Sequence, residues 1–427
     1  MIQARLFALA TAGLWLFAAL APAAETAPGE RALGFTEALG LLRARNRDLL
    51  QAQRSIDFAQ ADNLSARARP NPNLTVTTAA INPRVPTNAD PQYRKIDAIA
   101  QLSQLIERGD KRELRSAATR LAVDASRGDY ADALRQLTIA LAASYYDLLL
   151  TQDRVRIADE TSALFGRTVA AAELRLKAGD IAPSDLSRIK VDQLRADNDR
   201  RQTMADRERA RVALAYLVGL DAEAAGLSAT DPWPAAEAPD RGAAAAVIEA
   251  RADVRAAALR VQVAEKARDL ARALRSRDVT LLVQYEHFPS QVQNNTVGIG
   301  VSVPLFLGYN FEGEIRRTEV GLQATTEALG RTRALALAEI NRAWSDLASA
   351  SERVRRYDSG LLREAQRAAE AAEFAYRNGA LGVIDLLDAR RVFTATRNDA
   401  ASARSDLARA LVAWRGANSA YTPASPS

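Results

Sequence analysis

What most constrains this chain is where proline does not occur. No proline lies between Pro91 and Pro183, between Pro183 and Pro232, or between Pro304 and Pro423. Proline breaks a helix because it lacks an N–H and its ring collides with the preceding turn. The proline-free intervals are rich in Ala, Leu, Arg, Glu and Asp, mostly strong helix formers. Each interval therefore predicts one or two long helices. Within the first, Leu134, Leu141, Leu148 and Val155 recur seven apart, the spacing of a coiled-coil seam. A helix over about 110–177 would be about 100 Å long at about 1.5 Å per residue. That exceeds the core of an ordinary globular domain and suits a rod or an elongated bundle.

Strand signals fall only between the helical stretches. In "TVGIGVSVPLF" (296–306), Val297, Ile299, Val301, Val303 and Leu305 alternate with Gly298, Gly300, Ser302 and Pro304. "DVTLLVQYEHF" (278–288) precedes it, with Val279, Leu281, Val283 and Tyr285 on one face and the turn-like "PSQVQN" between the two. "NLTVTTAAIN" (73–82) and "YRKIDAIAQLSQLI" (93–106) form a similar pair, joined through Pro83, Pro86 and Pro91. Strands of about ten residues with period-two patterning fit a membrane β-barrel; the alternative is a soluble sheet with one wet face. Four strands cannot close a barrel alone, so the membrane reading demands an oligomer.

The order helix, strand, strand, long helix, glycine turn, long helix occurs twice. A shift of 200 positions matches Glu173 with Glu373, Gly179 with Gly379, Asp185 with Asp385, Leu186 with Leu386, and Asn198-Asp199 with Asn398-Asp399. Repeats of this length imply duplication of a whole subdomain. The expected organisation is a signal at 1–23, a first repeat at 24–227 (hairpin 73–106, turn 179–184) and a linker at 228–242. A second repeat at 243–418 (hairpin 278–306, turn 379–384) and a tail at 419–427 follow.

The N-terminus supports export. Arg5 precedes an apolar run over 6–21, and Ala21-Pro22-Ala23 supplies a small-residue cleavage site. The chain has no cysteine, one histidine (His287) and two methionines. Disulfides and thiolate metal sites are thereby excluded, and a soft transition-metal site lacks ligands. The formal net charge of +5 comes from charges of both signs interspersed along the chain. Together with export, that argues for solvated helix faces and against nucleic-acid binding. No nucleotide loop, serine-hydrolase elbow or zinc-protease motif is present, and no cofactor is expected.

"YRNGALGVIDLLDARR" (376–391) is the chemically suggestive stretch. Asp385 and Asp388 are three apart, on one face of a helix that restarts after Gly379. As an acid/base pair they would need a substrate cleft, which nothing nearby supplies. As a metal site, two carboxylates per chain suit only a hard cation at a symmetry axis. As a helix start, Asp385 and its counterpart Asp185 sit in the first turn, favourable to the helix dipole. Gly179 and Gly379 are expected to supply the positive φ that ends one long helix before the next begins. Trp344 and Trp414 fall in helical pattern as packing residues.

The chain resembles the TolC-like outer membrane efflux protein family over about 34–418. The resemblance rests on the duplicated order, the turn from Gly179 to Leu186 and "YRNGALGVIDLLDA". "LSQLIERGDKRELR" (102–115) and "GVSVPLFLGYNFEGEIR" (300–316) are similar to the cobalt–zinc–cadmium heavy-metal efflux branch, although Asp110 stands where a second glycine is usual. The resemblance implies a mainly α protein with a small β part. In it, a homotrimer pools four strands per protomer into a 12-stranded barrel in outer-membrane lipid, continued by a periplasmic α-helical barrel. It implies no enzyme activity; the protein is the exit duct of a tripartite system with a periplasmic adaptor and an inner-membrane RND pump. Asp385 and Asp388 match the pore constriction, Tyr376 a tether of the closed tip, and Asp185 a linking partner, with Arg377 and Arg390 as nearby cations. Gly179, Asp180, Gly379 and Ala380 would form the tip turns where the adaptor docks. A drug or type I secretion duct and a non-channel periplasmic coiled-coil rod are the alternatives.

Overall fold

The computed structural model describes residues 31–79, 97–236, 244–289 and 293–420. The expected export signal, the proline-bearing connector, part of the linker and nearly all of the tail lie outside them. The elements run β1 (Arg31–Leu33), α1 (Phe35–Arg45), α2 (Arg47–Arg67), β2 (Asn73–Ala79), β3 (Asp97–Ile106), α3 (Lys111–Ala178), α4 (Pro183–Val218) and β4 (Leu227–Ala229). They continue α5 (Ala244–Ala250), α6 (Ala252–Ala273), β5 (Val279–Pro289), β6 (Gln293–Ser302), α7 (Glu312–Arg356), α8 (Leu362–Arg377) and α9 (Val383–Ala417). A π turn at Tyr357–Leu361 separates α7 from α8.

The long helix is present. α3 is 68 residues without a break, about 100 Å at about 1.5 Å per residue. Of the sevenfold seam, Leu141, Leu148 and Val155 are buried, and Leu134 packs half-buried beside them. α3 packs against α2, α4, α6 and α9. A helix this long cannot share one core, and the apolar burial is divided along it. One cluster gathers Leu42, Leu141, Tyr145, Leu148, Leu214 and Leu227 at mid-length. Another gathers Phe165, Val169, Ile189, Val383 and Leu387 at the far end. A third joins α7 to α9 through Leu347, Val354, Leu407 and Leu411, with Trp414 packed on it.

Mid-length is pinned by a clip that period-based reading does not find. β1 and β4 pair in parallel over three residues each. Tyr145 is fully buried beneath them; its hydroxyl donates to the Leu33 carbonyl at 2.9 Å and accepts the Thr230 and Asp231 N–H groups at 3.2 Å. Burial pushes this phenol up to about 12, so it stays a donor throughout the physiological range.

At the opposite end from the far cluster lies an antiparallel sheet in the order β2-β3-β5-β6. Its register separates two chemistries. Leu74, Leu102, Val283 and Ile299 stand abreast on one face, as do Val76, Ala100, Tyr285 and Val297. Thr75, Gln101, Gln284 and Gly298 stand abreast on the other, next to Thr77, Ile99, Glu286 and Thr296. The apolar face is uncovered, with Ile299 at 87% exposure. β6 stops at Ser302, two residues short of Pro304, because proline has no N–H for the ladder; the sequence pattern had carried the strand to Leu305–Phe306. β5 and β6 pair out to Pro289 and Gln293, which takes up both ends of the expected connector. His287 faces Asn295 across that pair, 2.8 Å from Nδ1 to Oδ1.

Each hairpin re-enters a long helix through a left-handed residue. Asp110 precedes α3 with φ +56° and Phe311 precedes α7 with φ +62°. Asp110 thus performs the turn for which glycine is usual, and Asp tolerates it better than most residues. Gly109 is also left-handed, and a Cβ there would come within 2.6 Å of Ser276.

Candidate functional site

The far end of the rod is built from two helix hairpins, α3–α4 and α8–α9. α3 ends at Ala178 and is capped by Gly179, with φ +82°; backbone bonds close the helix end, Gly179 N–H to the Leu176 carbonyl at 3.0 Å and Asp180 N–H to the Arg175 carbonyl at 2.9 Å. Exactly two hundred positions on would be an empty coincidence without the matching bonds, and they are present: Gly379, φ +76°, donates to Tyr376 at 3.1 Å and Ala380 to Ala375 at 2.9 Å. No heavy atom lies within 4 Å of a Cβ built at either glycine, so the left-handed backbone, not space, is what requires glycine there. Pro183 then starts α4 at its first helical position, where its missing N–H costs nothing.

The repeat extends to the side chains. Lys190 on α4 meets Glu173 on α3 at 2.8 Å, and Arg390 on α9 meets Glu373 on α8 at 3.5 Å. Lys190, by hydrogen bond and charge, holds the Glu173 carboxyl below its usual range. Arg390 is 7% exposed; it also donates to the Thr168 hydroxyl at 2.7 Å, and burial lowers its pKa. The hairpins are tied to each other by Arg391 on α9, which reaches both oxygens of Asp192 on α4 at 2.7 Å.

Asp385 and Asp388 lie in the first turns of α9 and both are exposed. Neither has an ion-pair or hydrogen-bond partner among the described residues. The cations expected beside them are engaged elsewhere: Arg377 and Arg390 both pair with Glu373. The reason is geometric. The i, i+4 position places Arg377 over Glu373 on its own helix, and Arg390 faces inward. Asp185, in the first turn of α4, is half-buried and likewise unpaired among the described residues. Tyr376 packs on the apolar cluster of the tip, with the Arg175 guanidinium over its ring at 5.1 Å; its hydroxyl makes no hydrogen bond among the described residues. The structure thus gathers Tyr376, Gly179, Asp180, Asp185, Gly379, Ala380, Asp385 and Asp388 at one end, with Asp185, Asp385 and Asp388 unpaired among the described residues. The Asp192–Arg391 tie was missed by sequence reasoning, since nothing in the repeat marks position 192.

Among the described residues, no group of three or more His, Cys, Asp or Glu side chains could hold a metal ion, and no helix is long and apolar enough to cross a membrane. A sheet with one apolar face, a rod of long helices and an acid-bearing tip are the features of a membrane duct protein. The comparisons agree. The family model described as outer membrane efflux protein matches residues 38–220 and 244–417, and the chain belongs to that family of outer-membrane channels. The chain is 25% identical to the cobalt-zinc-cadmium resistance protein CzcC of Cupriavidus metallidurans over 374 residues, 84% of each chain. Among solved structures it superposes on CusC with a TM-score of 0.75 at 17% identity, covering 91% of this chain and 92% of that one. It superposes on VceC of Vibrio cholerae, also at 0.75, with 18% identity and 90% and 96% covered. The fold is accordingly that of these channels, and the protein is located in the outer membrane with its helices extending into the periplasm.

Proposed function

We propose that three copies of this chain form the outer-membrane exit duct of a tripartite RND-type efflux system, passive and carrying divalent heavy-metal cations. The observation that carries the assembly is the sheet. Its edge strands β2 and β6 have no further partner among the described residues, and lipid would cover its exposed apolar face. Closure onto other copies removes both edges. Two copies would give about eight strands, whose inward side chains fill the interior. Three give about twelve and leave a lumen lined by the Thr, Gln and Glu face.

The similarity to CzcC supports metal cations as cargo, and so does the tip. Threefold symmetry would place Asp385 and Asp388 in rings of like charge, which favour cations and resist tight closure unless ions bind. In this reading Tyr376 and Asp185 complete the constriction. Gly179, Asp180, Gly379 and Ala380 present the turns to a periplasmic adaptor. A groove of about 410 Å³ beside the turns supports docking there: exposed Val191 and Ile384 are flanked by Arg188 and Arg195. Residues 1–23 act as the export signal, and 24–227 and 243–418 as two repeats joined by 228–242. The test is a deletion strain. Growth should become sensitive to cobalt, zinc or cadmium and recover with the intact gene. Unchanged metal tolerance with new drug sensitivity would favour the drug duct.

A further inference from the structure

The segment joining β6 to α7 has features that the duct function does not use. Val303, Leu305, Leu307 and Tyr309 are exposed, Leu307 at 89%. Val303 and Leu305 continue the alternation of the apolar sheet face below the last ladder pair, Thr280 with Ser302. The segment is held open. Phe311, in its left-handed conformation, sets its ring edge-on to Phe306 with centroids 5.0 Å apart. Tyr309 donates to Glu314 at 2.6 Å and accepts the Gly313 N–H at 2.8 Å.

Cations surround this apolar segment. Arg277 lies over the Phe306 ring at 5.7 Å, and Arg275 donates to the Asn310 carbonyl at 3.2 Å. Arg316 follows in the opening turns of α7. All three are exposed, and none meets a carboxylate among the described residues. Of the nearby acids, Asp278 is neutralised by Lys111, while Glu312 and Glu314 keep their charge and are held by neutral donors away from the three guanidinium groups. Asp278 accepts from Lys111 at 2.8 Å and from the Arg108 N–H at 2.9 Å. Glu314 is taken by Tyr309, and Glu312 accepts the Asn310 N–H at 3.1 Å. The surface therefore presents apolar side chains directly below the apolar face of the sheet, and around them three guanidinium groups that no carboxylate contacts among the described residues.

We propose that residues 303–311 with Arg275, Arg277 and Arg316 form a foot that rests in the periplasmic leaflet and binds anionic phospholipid headgroups. A partner that is apolar on the sheet side and anionic at the level of the arginines is a membrane interface, not an acidic protein. Long cationic side chains reach from apolar surface to headgroup phosphates, and guanidinium pairs with phosphate through two parallel hydrogen bonds. The proposal rests on the reading of the β2-β3-β5-β6 sheet as membrane-spanning.

The experiment reconstitutes the full-length mature protein into lipid nanodiscs of phosphatidylethanolamine with a minor share of phosphatidylglycerol. Lipids retained on the protein after detergent extraction are then measured by mass spectrometry. Phosphatidylglycerol should be enriched about fivefold over its bulk share, as one such charge contact supports. The enrichment should be lost in Arg275→Gln/Arg277→Gln/Arg316→Gln, with heat-resistant oligomer formed as in the parent. In the unaltered protein, about 1 M salt should abolish it, because screening then acts within about 3 Å. A bulk ratio in the parent, or enrichment indifferent to both salt and substitution, overturns the foot and leaves the duct standing. If neither protein inserts, the membrane reading of the sheet fails and the foot with it.

Discussion

Arg251 is the side chain whose loss should cost the most. It is 1% exposed, at the start of α6. Its Nε and Nη2 donate to the two oxygens of Asp253 at 3.0 and 2.9 Å, Nη2 also to Glu339 on α7 at 2.7 Å, and Nη1 to the Ala417 carbonyl at the end of α9 at 3.1 Å. Arg135 on α3 adds a second cation to Glu339 at 2.6 Å. Arg251→Met leaves Asp253 and the Ala417 carbonyl without this donor. Breaking a buried pair costs about 3–5 kcal/mol. Solvent reaches Asp253 and Glu339, at 21% and 38% side-chain exposure, and Arg135 remains, so the low end applies, about 3 kcal/mol. At about 2 °C per kcal/mol for a large chain, the melting temperature should fall by about 6 °C. Circular dichroism in detergent reads this directly. Arg251→Met/Asp253→Asn should recover part of the loss, since it removes the stranded charge.

The same network carries a pH signature. Burial alone would raise the carboxyls of Asp253 and Glu339, but hydrogen bonds and charge from Arg251, joined at Glu339 by Arg135, outweigh it and leave both lowered. Lowered folded values mean that their contribution is complete above the ordinary values of 3.8 and 4.5 and is lost as pH falls through the folded ones. The gap in stability between parent and Arg251→Met should therefore narrow only below about pH 4. An Arg251→Met protein that melts with the parent at neutral pH would refute the reasoning.

Three further outcomes are expected. Tyr145→Phe strands the Asp231 N–H, while the Thr230 N–H keeps the Leu33 carbonyl at 3.3 Å, and should cost about 2 kcal/mol in denaturant unfolding without changing the helix content. Gly379→Ala, at φ +76°, should cost about 1 kcal/mol locally, read as faster hydrogen exchange over residues 375–385 with the global melt unchanged; Gly379→Arg should also abolish adaptor crosslinking. Asp110→Gly, at φ +56°, should raise stability by about 0.5 kcal/mol, because the left-handed penalty is relieved by more than the chain entropy glycine adds.

Much of the architecture was legible because it is periodic. The sevenfold seam of Leu141, Leu148 and Val155 and the alternation of Val297, Ile299 and Val301 each reflect one repeating environment. The tip turns were legible because Gly179 and Gly379 sit at repeat-related positions. What escaped was aperiodic. The clip of β1 and β4 is three residues deep and depends on Tyr145 reaching across the chain. The π turn at Tyr357–Leu361 inserts no proline, and its counterpart in α3 is ordinary helix. The ties Asp192–Arg391 and Arg251–Glu339 join residues remote in sequence, so no local pattern announces them. That Arg377 and Arg390, near the aspartates in sequence, both pair with Glu373 was not legible, because closeness along the chain does not decide which carboxylate a guanidinium reaches.

The central claim is a cation-selective pore constricted by the tip aspartates. Single-channel conductance of the purified oligomer in a planar bilayer, under a salt gradient, tests it most directly. The account predicts discrete steps with a cation-selective reversal potential, block by divalent cations, and loss of both selectivity and block in Asp385→Ala/Asp388→Ala. A reversal potential unchanged by the substitutions would remove the aspartates from the constriction. An absence of conductance from either folded protein would contradict the duct itself.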